Sequence, residues 1–303
     1  MIDRFNFYDI YGNLIPGFVL VALFALPHYI LAGAWPSADL GSAVLVIVVA
    51  YLFGHLLQSI ATSALSSQVM RDAGGRPAFP SIVLLDKSNK VLSTSLKTRL
   101  ADLVRSQFGI NLHIDLDLDA DVPQHRTIAA DRNTAFFLCR PLANKTSAYT
   151  EQFQGLYAMS RGLFVAFSLG SLYLIGAWLP APYTFFALGV AGATSMVALF
   201  LAILRLFDLP RLRFPGLRIS PLTGVGVDRA ILAVVGALAL ASGGVAWGLP
   251  SRDDRFDAAT LAVAGVSLFF ALRFLLLYRL FSVEFAKAVW TYFSVSKPQI
   301  DAA

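Results

Sequence analysis

Hydrophobic positions follow two regimes along this chain. In residues 1–65 and again from 159 onward, apolar side chains run on with only single polar interruptions, whereas 66–158 mixes apolar and polar residues over much shorter distances. A hydrocarbon core ~30 Å thick needs about 20 apolar residues in a helix. Runs of that kind occupy roughly 15–35, 42–64, 160–180, 183–206, 229–249 and 258–281. The pattern predicts a membrane protein of the all-α class with about six transmembrane helices, four at minimum. A small cytoplasmic α+β insertion separates helices two and three. The corresponding segments are 1–65 (an interfacial helix plus the first two spans), 66–158 (the insertion), 159–282 (spans three to six) and 283–303 (a cytoplasmic C-terminal helix and tail).

The opening stretch "FNFYDIYGNLIPGF" bears Asp3, Arg4 and Asp9 but no basic cluster, and no small-residue cleavage site follows a short apolar core. It reads as an interfacial helix over 4–12 leading into span one, not as an export signal. Phe5, Phe7, Tyr8 and Tyr11 suit the headgroup level, while Gly12 and Pro16 suit a junction between two helical pieces.

Within the insertion, "FPSIVLL" is short, apolar and β-branched and is expected to be a strand, as is "TAFFLCRPL". "SLKTRLADLVRSQFGI" places Leu96, Leu100, Leu103, Val104 and Phe108 at helical spacing, with Gly109 as a stop. "NLHIDLDLDADV" alternates strictly, so a strand would put Ile114, Leu116 and Leu118 on one face and Asp115, Asp117, Asp119 and Asp121 on the other. "SAYTEQFQGLYAMSRGLF" predicts a helix continuous with span three, and "RLFSVEFAKAVWTYF" an amphipathic continuation of span six.

Composition supports the membrane class. Hydrophobic residues make up 57% of the chain and charged residues 14%, and mean hydropathy is +0.66; a soluble domain carries about 25% charge. The net charge of +5 has a topological explanation. Arg4, Arg71, Arg76, Lys145, Arg161, Arg205, Arg211, Arg213, Arg218, Arg229, Arg279, Lys287 and Lys297 flank the expected spans on one side, against Arg252 and Arg255 on the other. The bias puts both termini and the insertion in the cytoplasm. Cys139 is the single cysteine, which excludes an intrachain disulfide framework.

No catalytic constellation is legible, and the chain is expected not to be an enzyme. There is no Walker-type loop, no His-Glu-x-x-His and no Gly-x-Ser-x-Gly. The acid row lacks the mid-loop glycine and later glutamate of a calcium loop. His113 and His125 have no second ligand at metal spacing, so neither a metal nor a cofactor is expected.

The polar residues inside the apolar runs carry the functional signal, since a polar side chain in hydrocarbon normally faces protein or water. His55, Gln58, Ser59 and Thr62 fall at i, i+3, i+4 and i+7 of span two, one helical face. That stripe lines a pore or forms a hydrogen-bonded seam between helices; the sequence leaves both open. His28 is a possible further member of the same layer. Arg273 is a charge within span six that snorkels or sits at a vestibule. Spans four and five are rich in small residues, including Ala233, Ala237 and Ala241, which permit close helix packing.

The pieces "FYDIYGNLIPGF", "AYLFGHLLQS", "EQFQGLYAMSRGL" and "RLFSVEFAKAVWTYF" resemble small multi-pass bacterial inner-membrane proteins, among them membrane effectors of anti-phage defence of the Hailong type. The resemblance implies a homo-oligomeric channel held shut by an anionic nucleotide or oligonucleotide ligand at the cytoplasmic domain, with a nucleotidyltransferase as partner. Lys87, Lys90, Lys97, Arg99, Arg105, Arg126, Arg132 and Arg140 are then the candidates for that ligand. A non-enzymatic membrane scaffold is the alternative, and an enzyme acting on lipid ranks third.

Overall fold

The computed structural model describes residues 8–32, 40–65, 68–118, 124–178 and 254–296. A π-helical turn, Tyr8–Leu14, leads into α1 (Ile15–Ala32), followed by α2 (Leu40–Ala64). A two-residue hairpin follows, β1 (Met70–Arg71) and β2 (Pro77–Ala78), then α3 (Pro80–Val83), α4 (Thr94–Phe108), α5 (His125–Thr146), α6 (Ala148–Trp178) and α7 (Asp254–Val295). Among the described residues, four stretches are long and apolar enough to cross a bilayer: Tyr8–Leu26, Gly41–Ser63, Ala148–Ala177 and Ala258–Val295. They match the expected first, second, third and sixth spans. The expected spans at 183–206 and 229–249 lie outside the described residues.

The chain divides into two compact units. One comprises the described parts of Ile10–Leu65 and Met159–Leu275 and is wholly helical; the other comprises those of Met1–Asp9, Ser66–Ala158 and Leu276–Ala303.

In the apolar unit α1 and α2 approach closely enough to need glycine at the crossing. A Cβ on Gly17 would collide with the backbone carbonyl of Ala50, and one on Gly54 with the backbone of Asn13. α6 fills the groove beside the pair: Leu20, Leu57, Ala61, Val165, Ala166 and Leu169 form one core cluster. Leu23, Tyr173, Leu174 and Ala264 form a second, which brings in α7. Phe24 meets Tyr173 with centroids 4.6 Å apart, and Phe167 stacks on Phe274 at 5.7 Å. The hydroxyl of Ser171 donates to Ala264 O at 3.0 Å, so one polar group in this apolar contact is satisfied by backbone.

The second unit is also mainly helical. Its antiparallel hairpin pairs Met70 with Ala78 and Arg71 with Pro77. The turn between them is closed by Arg76 N donating to Asp72 Oδ1 at 2.8 Å and by Gly75 at φ 77°. α4 stops at Gly109 as the sequence predicts, and Ser93 caps its start. The Ser93 hydroxyl accepts from Leu96 N at 3.3 Å, and Gly109 closes the other end at φ 69°, where glycine lacks the Cβ penalty. Trp290 and Phe293 of α7, both fully buried, join Leu84, Leu85, Leu100, Val104, Phe136 and Cys139 in the core.

Three segments expected to be strands are not. "FPSIVLL" contains the helical turn α3: Pro80 sits at a helix start, where its missing N–H costs nothing, and Val83 N and Leu84 N donate to Phe79 O and Pro80 O. "TAFFLCRPL" lies inside α5, because the buried positions Ile128, Arg132, Ala135, Phe136, Cys139 and Ala143 recur every three or four residues over the longer window. The described part of the alternating acidic segment, to Leu118, is irregular. The carbonyls of Leu112, His113 and Leu116 accept from the Arg132 guanidinium instead of from a neighbouring strand.

Candidate functional site

Gln58 decides how the polar stripe of α2 is disposed. Its side chain turns into the apolar unit, 6% exposed. Its Nε2 donates to Gly12 O at 2.5 Å, in the π-helical turn. Its Oε1 accepts from Nε and Nη2 of Arg161, on α6, at 3.0 and 2.7 Å. One amide thus joins the entry to α1, α2 and α6. For Gln58 the seam is what the structure has.

The other members of the stripe, on the same broad face, are turned outward. His55, Ser59 and Thr62 are all exposed on α2. The Thr62 hydroxyl donates back to Gln58 O at 2.7 Å, and the His55 ring stands edge-on to Tyr51 with centroids 4.6 Å apart. On the same face, closer to the N-terminus of α2, Val44, Val48 and Leu52 are also exposed. Arg273 is exposed on α7, in a stretch whose other exposed residues include Phe269, Leu272 and Leu276. The side chain of His28 lies outside the description.

The basic residues proposed for an anionic ligand do not form one set. Lys87, Lys90, Arg99, Arg105 and Arg126 are exposed. Arg140 is half-buried, with its guanidinium carbon 5.6 Å from the Phe285 ring centroid. Lys97 and Arg132 are withdrawn from any ligand, because both are buried and engaged internally. The Arg132 guanidinium donates to Asp86 Oδ1 at 2.5 Å and to the carbonyls of Ile82, Leu112, His113 and Leu116 at 2.7–3.2 Å. Lys97 Nζ donates to Asp86 O and Asn89 O.

Burial pushes the Asp86 carboxyl up from its ordinary value, against the pull of Arg132, and lowers the Lys97 ammonium. Leu118 N also donates to Asp86 Oδ1, at 3.1 Å. The cluster anchors the turn after α3 and the loop after α4, which is a structural task.

Asp117 is held by Ser88 N at 2.7 Å, while Asp115 is exposed; Asp119 and Asp121 lie outside the described residues. His125 Nε2 stands 3.6 Å from Asp72 Oδ2. Among the described residues no three His, Cys, Asp or Glu side chains converge as a metal site.

No family model, curated protein or solved structure matches this chain. The functional reading therefore stands on its own residues. Sequence reasoning missed two pairings that are distant along the chain, Gln58 with Arg161 and Asp86 with Arg132. A signal for the first was present: Arg161 opens an apolar run, and a charge there calls for a polar partner.

Proposed function

We infer that this chain is a homo-oligomeric inner-membrane effector whose copies meet along the outward face of α2 and enclose an ion-conducting path. The observation that carries the reading is the joint exposure of His55, Ser59 and Thr62 on an otherwise apolar span. Polar groups at that depth are costly against acyl chains. Contact with identical side chains of other copies, around a wet axis, removes that cost. Val44, Val48 and Leu52 continue the same face and supply apolar packing between copies.

Gating is assigned to the polar unit, which belongs in the cytoplasm with both termini. A bound anion there keeps the path shut by binding the closed state more tightly than the open one; equal affinity would shift nothing. Lys87, Lys90, Arg99, Arg105 and Arg126 remain for that ligand once Lys97 and Arg132 are withdrawn. The resemblance to Hailong-type effectors supplies the setting: anti-phage defence, a nucleotidyltransferase partner, and depolarisation on opening. The inward turn of Gln58 favours the alternative, a scaffold whose polar residues only hold helices together, for that residue alone.

Ion flux from liposomes containing the purified chain distinguishes the two. Wild type is expected to conduct, and His55→Leu with Thr62→Leu to lose most of the flux while remaining folded and oligomeric. Absence of flux from wild type in liposomes and of depolarisation in phage-infected cells would overturn the channel reading.

A further inference from the structure

α5 has a second side that the fold does not use. At about 100° per residue, its buried positions Ile128, Arg132, Ala135, Phe136, Cys139 and Ala143 share one face. Opposite them, Arg126, Ala130, Phe137, Leu138, Pro141 and Lys145 are all exposed, Phe137 by 58% and Leu138 by 43%. These six fall within an arc of about 120°. Arg126 and Lys145 stand at the two ends of the strip along the helix axis, the exposed Thr127 and Thr134 lie among its apolar groups, and no carboxylate lies on it; Asp131, at its edge, is half-buried. A strip with an apolar centre and basic ends is the pattern of a helix lying in the headgroup layer.

Two further observations bring this strip to lipid and not to another occupant. The Arg140 guanidinium stands over the Phe285 ring, its carbon 5.6 Å from the centroid, and α7 runs unbroken from Asp254 to Val295 through a candidate span. The middle of α5 is therefore near the point where the chain enters the bilayer. Phe285, which packs against Phe136 and Arg140, follows within three turns the exposed Leu276 and Leu280 of the Ala258–Val295 span. A second copy is a poor occupant, because a two-fold pairing of this strip sets Arg126 and Lys145 against like charges.

We propose that the outward strip of α5 is a membrane-surface docking site, with Phe137, Leu138 and Pro141 in the headgroup–acyl boundary and Arg126 and Lys145 on anionic lipid headgroups.

The test uses the full chain in liposomes, with a polarity-sensitive maleimide dye on Leu138→Cys and, as a solvent-facing control, on Arg99→Cys. Cys139 does not compete for the label, being fully buried with its thiol pushed up to about 12. Spin-labelled lipid should quench the dye at 138 and leave that at 99 unaffected, and iodide should do the reverse. Quenching at 138 should increase when phosphatidylglycerol is included. Arg126→Gln and Lys145→Gln should each lower the docked-to-undocked ratio about fivefold in those vesicles and change little in neutral ones. Equal quenching at the two sites, or a dye at 138 shielded from both lipid and iodide as in a protein contact, overturns the proposal.

Discussion

Replacing Arg132 with methionine tests the internal logic of the polar unit most sharply. The guanidinium is fully buried and serves five acceptors: Asp86 Oδ1 and the carbonyls of Ile82, Leu112, His113 and Leu116. Methionine approximates the volume of the stem and keeps none of the donors. Asp86, 2% exposed, is left as an uncompensated charge, and breaking a buried pair from one side costs about 3–5 kcal/mol. Domains are stable by only ~5–15 kcal/mol, so a large share of the margin disappears.

Hydrogen exchange on the detergent-solubilised full chain reads this locally. Amides of residues 82–92 and 110–118 should exchange about two to four orders of magnitude faster in Arg132→Met, since each 1.4 kcal/mol is about tenfold. Asp86→Leu with Arg132→Met removes both charges and should recover most of the loss. The deficit of the single variant should also shrink in acid. Burial raises the folded-state pKa of Asp86 above its ordinary 3.8, so between those values the folded chain binds more protons than the unfolded one, and stability rises as pH falls. Wild-type exchange in Arg132→Met, or a double variant as loose as the single, would refute the reasoning.

Four other outcomes are expected. Cys139, buried with its thiol pushed up to about 12, should resist alkylation at pH 8 in the folded chain and react in urea; comparable rates in both would contradict the packing. Gly54→Val should disrupt the α1–α2 crossing, because its Cβ meets the Asn13 backbone and not a movable side chain; monodisperse, fully helical protein by size exclusion and circular dichroism would count against this. Asp117 sits below the usual carboxylate range, chiefly because Ser88 N–H binds its charged form, so the contribution of that turn should be intact above pH 3.8 and fade as pH falls through the lowered value. The Ser88 amide shift is its probe, and the fade should vanish in Asp117→Asn. Trp290→Phe removes the bond from Nε1 to Ser81 O at 3.1 Å and part of a fully buried ring, and should cost about 1–3 kcal/mol in chemical denaturation.

Periodicity over long windows was informative, and short windows were not. The runs at 15–35, 42–64, 160–180 and 258–281 stand out because a bilayer-length helix averages over many residues, and each has a long apolar helix in the structure. The end of α4 was legible, since Gly109 carries its capping chemistry in its backbone freedom, whereas Ser93, which caps the start, was not singled out. "TAFFLCRPL" misled because five adjacent apolar residues satisfy a strand and a helix alike; Ile128 and Arg132, lying outside that window, decide the period. The acidic alternation misled for a different reason. A strand needs a partner for its carbonyls, and here a buried arginine from α5 takes them. The polar stripe of α2 was legible as a row but not in its division between buried edge and exposed centre, because Gln58 is drawn inward by Arg161, a residue 103 positions away.

The core of the polar unit also imposes an order of events during synthesis. Leu84, Leu100, Val104, Phe136 and Cys139 are translated long before Trp290 and Phe293, which complete the same cluster. Until those later residues emerge from the ribosome, the nascent unit must wait with its oily side uncovered. A ribosome stalled before residue 290 would leave that side open to chaperones and proteases. Closure of this core therefore waits for residues 290–293, so a copy that stalls earlier is exposed to removal.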